Sequence, residues 1–302
     1  LVPGRPAQRH RRAHRSAERF PGTGDVSGGL STVEAVVLGV VEGVTEFLPV
    51  SSTGHLLIVE RLLGLGTGQD KLAVDTYTIA IQLGAILAVL GIYRHRFVLM
   101  LEGLAGRSDE GRASLRAVVV AFLPAAAIGF VAGDSIKEHL LAPWPVAGAW
   151  FVGGVAILWF GRSFTTTPRH GSIAEITPRT ALLIGLAQSL ALWPGTSRSL
   201  VTILAALALG VALDAAVEFS FLLGFVTLGM ATAYALVQDG SELVDRFGVA
   251  TPLLGTVVAG IAAFLSVKAM VGWLQSRSLD VFGWYRIGAA GAAAVLIITG
   301  VI

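Results

Sequence analysis

Residues 39–55 have the sequence GVVEGVTEFLPVSSTGH, in which charged and hydroxyl side chains interrupt strongly apolar sequence. Glu42 and Glu46 are four residues apart, so both carboxylates project from one face of a helix. Pro49 ends this helix, and five residues then form a polar turn: Ser51, Ser52, Thr53, Gly54 and His55. Because such groups are costly to bury unless they are used, the stretch indicates a functional site within apolar sequence. The alternative is a Ser/Thr helix cap beside two solvated glutamates.

The composition is that of a membrane protein. Of the 302 residues, 54% are hydrophobic and only 14% are charged, whereas a soluble domain carries roughly a quarter charged residues. The absence of cysteine excludes disulfides and thiolate chemistry. We therefore predict an all-α polytopic membrane protein with no nucleic-acid partner.

The N-terminal segment, residues 1–31, differs from the rest of the chain. It contains glycine, proline and serine together with six arginines: Arg5, Arg9, Arg11, Arg12, Arg15 and Arg19. This composition predicts a basic disordered arm, and the segment lacks the apolar core of a signal peptide. Contact with anionic lipid and an inert extension both remain open as roles for the arm.

Apolar segments of two lengths follow the arm. Six are long enough to cross a hydrocarbon core of about 30 Å: residues 76–93, 115–133, 146–162, 217–238, 251–274 and 284–302. Four are shorter and broken by proline, glycine and serine: residues 32–48, 55–66, 180–193 and 199–211. Each short pair predicts a re-entrant helical hairpin, since broken backbone survives at membrane depth only when protein buries it or it lines a cavity.

The order of the segments predicts one membrane domain, residues 32–302, built from two repeats at about 32–165 and 178–302. Each repeat is a hairpin followed by three transmembrane helices. Four residues of the first hairpin match four of the second at an offset of 145 or 146: Gly39, Glu42, Pro49 and Ser52 with Gly185, Gln188, Pro194 and Ser197. Because each repeat has an odd number of spans, the second repeat would be inverted in the membrane relative to the first. The two hairpins would then enter from opposite faces and meet near the middle of the membrane.

The distribution of Lys and Arg predicts the orientation. They concentrate in residues 94–116, 162–179 and 275–283 and at Arg286, whereas the opposite side, the arm excluded, has Arg61, Lys71, Lys137 and Arg246. The positive-inside tendency makes the first side cytoplasmic, so the site would open to the extracytoplasmic side. The arginine-rich arm contradicts this orientation, because it would have to be translocated.

The second hairpin carries Pro194-Gly-Thr-Ser-Arg-Ser199, a turn that precedes a helix. Gly195 permits close approach of the backbone, and Arg198 offers a fork of donors, a combination that suits a phosphate group. If the inverted pairing holds, Arg198 stands opposite Thr53. The predicted phosphate-binding residues are Ser51, Thr53, Gly195, Thr196, Ser197 and Ser199.

These motifs resemble those of the bacterial undecaprenyl-diphosphate phosphatase family, which is also named for bacitracin resistance. Residues 42–55 are similar to its first signature almost position for position, and residues 194–199 to its second. The resemblance covers about residues 32–302. Two residues depart from the family pattern: Leu200 replaces a usual glycine, and Glu218 stands where arginine is expected.

The resemblance implies hydrolysis of a C55 polyprenyl diphosphate to the monophosphate carrier and inorganic phosphate, at the bacterial cytoplasmic membrane. This reaction recycles the carrier for cell-wall synthesis and underlies bacitracin resistance. The family's functional residues match Glu42, Glu46, Ser52, His55 and Arg198.

Several roles are expected for these residues. Arg198 would hold the phosphoryl oxygens, while Glu42 and Glu46 would hold a divalent cation, Mg²⁺ or Ca²⁺. Alternatively, Glu46 is a base that activates Ser52 or water. His55 is expected to act as an acid or base, unless it only caps the turn. Ser52 is the preferred nucleophile.

Two further points remain open at this level. Four aromatic residues are candidates for an apolar groove that holds the lipid tail: Phe47, Trp193, Phe219 and Phe221. Glycine and alanine in residues 284–302 favour close helix contact, either within the chain or in a homodimer. The main rival function is a transporter or flippase for polyprenyl phosphate, since secondary transporters share the inverted-repeat architecture.

Overall fold

A computed structural model describes residues 30–66, 68–160 and 171–302 of the chain. Throughout these ranges the secondary structure is helical, without strands. The α-helices are α1 (Thr32–Thr45), α2 (Ser52–Leu63), α3 (Lys71–Ile92), α4 (Arg94–Leu104), α5 (Asp109–Leu140), α6 (Pro143–Phe160), α7 (Pro178–Gln188), α8 (Arg198–Ala208), α9 (Leu213–Phe247), α10 (Ala250–Leu274) and α11 (Asp280–Ile298). Residues 1–29 of the predicted arm lie outside the described residues. Ser31, at the end of the arm, caps α1 in a capping box with Glu34.

Six helices of the described chain are long and apolar enough to cross a membrane: α3, α5, α6, α9, α10 and α11. They coincide with the six predicted spans, although α9 extends to 35 residues. Large apolar side chains on their outer faces are mostly uncovered in the described part of the chain; Phe130 is 86% exposed and Val237 is 83% exposed. A surface of this kind requires lipid, and the prediction of an all-α multi-pass membrane protein is confirmed.

The segment that follows α3 differs from the prediction. Residues 94–116 connect two of the predicted spans and were expected to form a loop, but α4 occupies residues 94–104 and packs against the beginning of α5, which starts at Asp109. His95 lies in α4 and His139 lies in α5, so neither is a loop residue, although both are exposed. His170 lies outside the described residues. The loop was predicted because its arginines interrupt the apolar pattern, yet an amphipathic helix tolerates them on its exposed face.

Each pair of short helices is joined by a turn that contains one non-glycine residue with positive φ. Ser51 precedes α2 with φ 73°, and Ser197 precedes α8 with φ 75°. Ser197 therefore shares its backbone conformation and its place before a helix with Ser51, whereas the sequence pattern pairs it with Ser52. The second turn has two residues between its proline and this serine, whereas the first has only Val50.

The helices around these turns hold them in the interior of the bundle. α1 packs against α10, and α7 packs against α5. An apolar core lies beside the first turn and includes Phe47, Val50 and Leu200. The polar turns are thus fixed on a rigid apolar base.

Candidate functional site

The two turns touch each other through hydrogen bonds between side chains and backbone. Ser199 Oγ donates to the carbonyl oxygen of Leu48 at 2.9 Å. Ser197 Oγ lies 3.0 Å from Ser199 Oγ and accepts from the backbone N–H of Leu200. Residues about 150 positions apart in the sequence therefore form one site.

Glu46 connects candidate site side chains of the α1–α2 pair and the α7–α8 pair. Its Oε1 accepts from Arg198 Nη2 at 3.3 Å, and its Oε2 accepts from Ser52 Oγ. All three side chains are at least nine-tenths buried. A carboxylate that accepts the hydroxyl proton of a serine is placed to remove that proton.

Glu42 lies one helical turn before Glu46 and is completely buried. Within the described residues, neither of its carboxylate oxygens has a hydrogen-bond partner. Buried polar atoms are nearly always satisfied, so two orphaned oxygens on one side chain indicate a missing ligand or proton. Glu42 is therefore a buried carboxylate of the site whose two oxygens accept no hydrogen bond from a described residue.

Arg198 is held from three directions. Its Nη1 donates to the carbonyl oxygen of Ser220 at 2.8 Å, its Nη2 donates to Glu46, and its guanidinium lies 5.3 Å from the ring centroid of Phe47. Its buried Nε has no partner among the described residues. This N–H is available to an incoming anion that reaches the guanidinium.

Gly224 on α9 provides the space that the guanidinium occupies. A Cβ atom at this position would lie 2.1 Å from Arg198 Nη1, which is too close for both to stay in place. We predict that Gly224→Ala displaces Arg198 and lowers kcat of the diphosphate hydrolysis that the family resemblance implies by about tenfold or more, a loss that corresponds to about 1.4 kcal/mol. Phosphate release by the purified variant tests this. Gly229→Ala on the same helix is the control, because its Cβ would meet open space; equal activity of both variants would contradict the prediction.

His55 lies one turn after Ser52 on α2, so the two side chains share a helix face. Its Nδ1 is 2.7 Å from the carbonyl oxygen of Ser51, and its Nε2 is 2.7 Å from the hydroxyl of Tyr285. The imidazole lies between two aromatic rings, with centroids 4.6 Å from Trp150 and 5.7 Å from Tyr285. Such fixed placement exceeds what a turn cap requires.

The predicted phosphate-binding residues divide into two groups. Gly195, Ser197 and Ser199 are buried and hold the turns together, Gly195 by accepting a hydrogen bond from Arg286. Ser51 is buried with its carbonyl oxygen bonded to His55, whereas Thr53 is exposed and Thr196 is half-buried. Arg198 hydrogen-bonds to Glu46, and its position opposite Thr53 stays a prediction.

The position of Arg286 differs from the one that the sequence predicts. It was counted among the loop charges of the cytoplasmic side, but it lies in α11 and is completely buried. Its guanidinium donates to four carbonyl oxygens: Pro49 at 3.3 Å, Trp150 at 3.3 Å, Ala149 at 2.8 Å and Gly195 at 2.9 Å. It thereby fastens both turns to α6. An arginine within the Gly/Ala-rich final span was the available signal for such a role.

The apolar residues singled out in the sequence lie in different surroundings. Phe47, Phe219 and Phe221 are completely buried and belong to the packed core, so they do not line a groove open to lipid; Trp193 alone of the four is exposed. Close contact of α11 with α6 involves Gly283, while Gly288 and Gly291 face open space. Helical periodicity could not distinguish the packed face of α11 from its open face, because the span is apolar on all sides.

The two departures from the family pattern have structural explanations. Glu218 accepts from Arg96 Nε at 2.6 Å, and Arg96 also donates to Glu110, so the acidic residue belongs to an ion-pair cluster. Leu200 is 3% exposed and packs in the core beneath the turn. Neither residue hydrogen-bonds to Glu46, Ser52 or Arg198 through its side chain.

The fold and the site define a polytopic helical membrane protein with a buried cluster of carboxylate, hydroxyl, imidazole and guanidinium groups. The family model described as bacitracin resistance protein BacA matches residues 35–292. The chain belongs to this family, which confirms the resemblance inferred from the two motifs.

Curated relatives of similar length also match. An undecaprenyl-diphosphatase of Methylococcus capsulatus is 43% identical over 259 residues, which cover 84% of this chain and 91% of the relative. One from Sorangium cellulosum is 42% identical over 86% of this chain and 84% of its own length. A third, from Rhizorhabdus wittichii, is 43% identical over 88% of this chain and 97% of the relative.

Proposed function

We propose that this chain is an integral-membrane phosphatase that hydrolyses undecaprenyl diphosphate to the monophosphate and inorganic phosphate. It would thereby recycle the lipid carrier for cell-wall synthesis and give resistance to bacitracin. The observation that carries the proposal is the buried series Ser52–Glu46–Arg198, in which a hydroxyl bonds to a carboxylate that bonds to a guanidinium. Membership of the family and the names of the relatives support it.

Each member of the series has a part in the reaction. Glu46 removes the proton from Ser52, whose oxygen attacks the terminal phosphorus, and Arg198 stabilises the charge on the phosphoryl oxygens. The new bond is Ser52 Oγ–P, and the bond that breaks joins the terminal phosphorus to the bridging oxygen. Water then hydrolyses the phosphoserine. His55 supplies or accepts the proton at the leaving oxygen.

The charge of the site favours a divalent cation. Glu42 and Glu46 carry two negative charges when ionised, Arg198 and Arg286 carry two positive charges, and a diphosphate adds several more negative charges. Within the described residues, no group of three or more His, Cys, Asp or Glu side chains could hold a metal. The orphaned oxygens of Glu42 nevertheless fit Mg²⁺ or Ca²⁺, which accept few protein ligands when phosphates and waters complete the shell. Glu42 and Glu46 would hold the ion, and it would neutralise phosphate charge.

The topology is part of the proposal. The α1–α2 and α7–α8 hairpins are re-entrant and belong to two inverted repeats, an arrangement supported by the equivalent positive-φ serines at 51 and 197. With the basic residues of 94–116 in the cytoplasm, the site opens to the extracytoplasmic side of the bacterial inner membrane. A homodimer would pack at the face of α11 around Gly288 and Gly291, which meets no other described residue.

The test is phosphate release from polyprenyl diphosphate by the purified chain in detergent. We expect Glu46→Gln to lower kcat by about 10²–10⁴-fold, because the amide cannot accept the serine proton. The substitution is isosteric, so folding should be retained. Glu102→Gln, which alters an exposed residue of α4, is the matched control.

Two further measurements complete this test. A chelator should abolish activity, and added Mg²⁺ or Ca²⁺ should restore it; activity that a chelator leaves intact would remove the cation from the proposal. If the wild-type chain binds the lipid but releases no phosphate in detergent, the phosphatase proposal fails. Transport of the lipid in sealed vesicles would then be the measurement to make.

A further inference from the structure

The hydrogen bonds of His55 fix its protonation pattern. A carbonyl oxygen only accepts, so the 2.7 Å contact with Ser51 requires a proton on Nδ1. In the neutral imidazole Nε2 is then an acceptor, and Tyr285 donates its hydroxyl proton to it across 2.7 Å. The resting imidazole therefore has no N–H available to a substrate.

Tyr285 is held in a fixed position relative to Nε2 of His55. Its ring is nearly parallel to the imidazole, with an interplanar angle of 16°, and Trp150 covers another side of the imidazole. Tyr285 directly precedes Arg286, which anchors this part of α11 to both turns. The tyrosine is 49% exposed, and its hydroxyl is the hydrogen-bond partner of Nε2.

We propose that Tyr285 relays the proton between His55 and the leaving group of the substrate. This inference rests on the proposed phosphatase function and adds a residue to it. When His55 is protonated, its second proton sits on Nε2, where the hydroxyl of Tyr285 is the acceptor. Any proton that leaves the ring therefore passes through the phenol.

The proton transfers balance in the first half of the reaction. Ser52 Oγ bonds to the terminal phosphorus, and its proton goes to Glu46. The bridging P–O bond breaks, and the leaving oxygen of the lipid monophosphate takes the hydroxyl proton of Tyr285. His55 enters this step as the imidazolium, having taken one proton from solvent. Its Nε2 then reprotonates Tyr285, which returns His55 to its neutral form.

The test compares Tyr285→Phe with the wild type across pH. The phenylalanine keeps the ring stack but removes the relay, so we expect kcat to fall by about 10²-fold with KM little changed. The fall in wild-type rate at alkaline pH, where His55 loses its proton, should disappear in the variant. Tyr234→Phe is the control, since that exposed hydroxyl on α9 is bonded only to Gln238.

A second variant separates the relay from a structural role. If Tyr285 acts through His55, the His55→Ala/Tyr285→Phe double variant should be no slower than His55→Ala alone. Additive losses, wild-type kcat in Tyr285→Phe, or a slower variant with an unchanged pH profile would each overturn the inference. Should the variant not fold, 3-fluorotyrosine at the four tyrosines must change kcat, because the phenol that relays the proton becomes more acidic. A wild type without phosphatase activity would instead refute the proposed function itself.

Discussion

Arg286→Met is expected to abolish activity and to lower the thermal stability of the detergent-solubilised protein. The guanidinium donates to carbonyl oxygens in both turns, those of Pro49 and Gly195, and to two in α6. Methionine fills much of the volume but donates no hydrogen bond. Each buried carbonyl left unpaired costs about 1–3 kcal/mol, so the two turn carbonyls alone would cost several kcal/mol.

The loss of activity should exceed the loss of folded protein. Without Arg286 the turns can separate, and a displacement of about 1 Å at the reacting groups costs roughly 10²-fold in rate. Arg286→Lys keeps the charge but not the planar fork, so it should restore little activity.

Thermal unfolding and phosphate release, measured on the same samples, provide the comparison. Arg277→Met is the matched control, because this exposed arginine contacts the ring of Trp273 and lies outside the site. An Arg286→Met variant that unfolds at the wild-type temperature and hydrolyses substrate would show that the turns do not depend on this residue.

Arg198→Ala should have the second large effect, a loss of about 10³-fold or more in kcat. Its guanidinium is the positive group bonded to Glu46, and it lies within the contact between the hairpins. Removing it leaves the phosphoryl charge unstabilised in the transition state. It also leaves the Glu46 carboxylate buried without its cation, and breaking a buried ion pair costs about 3–5 kcal/mol.

The double variant Glu46→Gln/Arg198→Ala separates these two consequences. Because the amide carries no charge, the double variant should be more stable than Arg198→Ala while remaining inactive. Unfolding temperatures and kcat of the single and double variants give the coupling between the two residues. Near-wild-type turnover by Arg198→Ala would remove the second hairpin from the phosphate site.

Much of the architecture could be predicted from the sequence. Long apolar stretches predict membrane spans from the sequence alone. Because unpaired backbone groups are costly within a membrane, each such span must be a helix. The acids at 42 and 46 share a helix face through the 3.6-residue period alone. Helix α4 was missed because its amphipathic pattern mixes with the basic residues of a surface segment.

The site could be predicted only in part. Glu42, Glu46, Ser52, His55 and Arg198 were identified because charged and hydroxyl groups are conspicuous in apolar sequence. The pairing of Arg198 with Glu46 follows from how the α1–α2 and α7–α8 pairs pack against each other, which no local pattern specifies.

The sequence by itself determined the class of the protein, its spans and the residue types of its chemistry, because hydropathy and helical spacing are local properties. Only the tertiary structure decided that Arg286 is buried and donates hydrogen bonds to the two turns, and that the hydroxyl of Tyr285 contacts the imidazole of His55. These contacts join residues more than 200 positions apart. They depend on the packing of α11 against α6, which no local pattern of residues specifies.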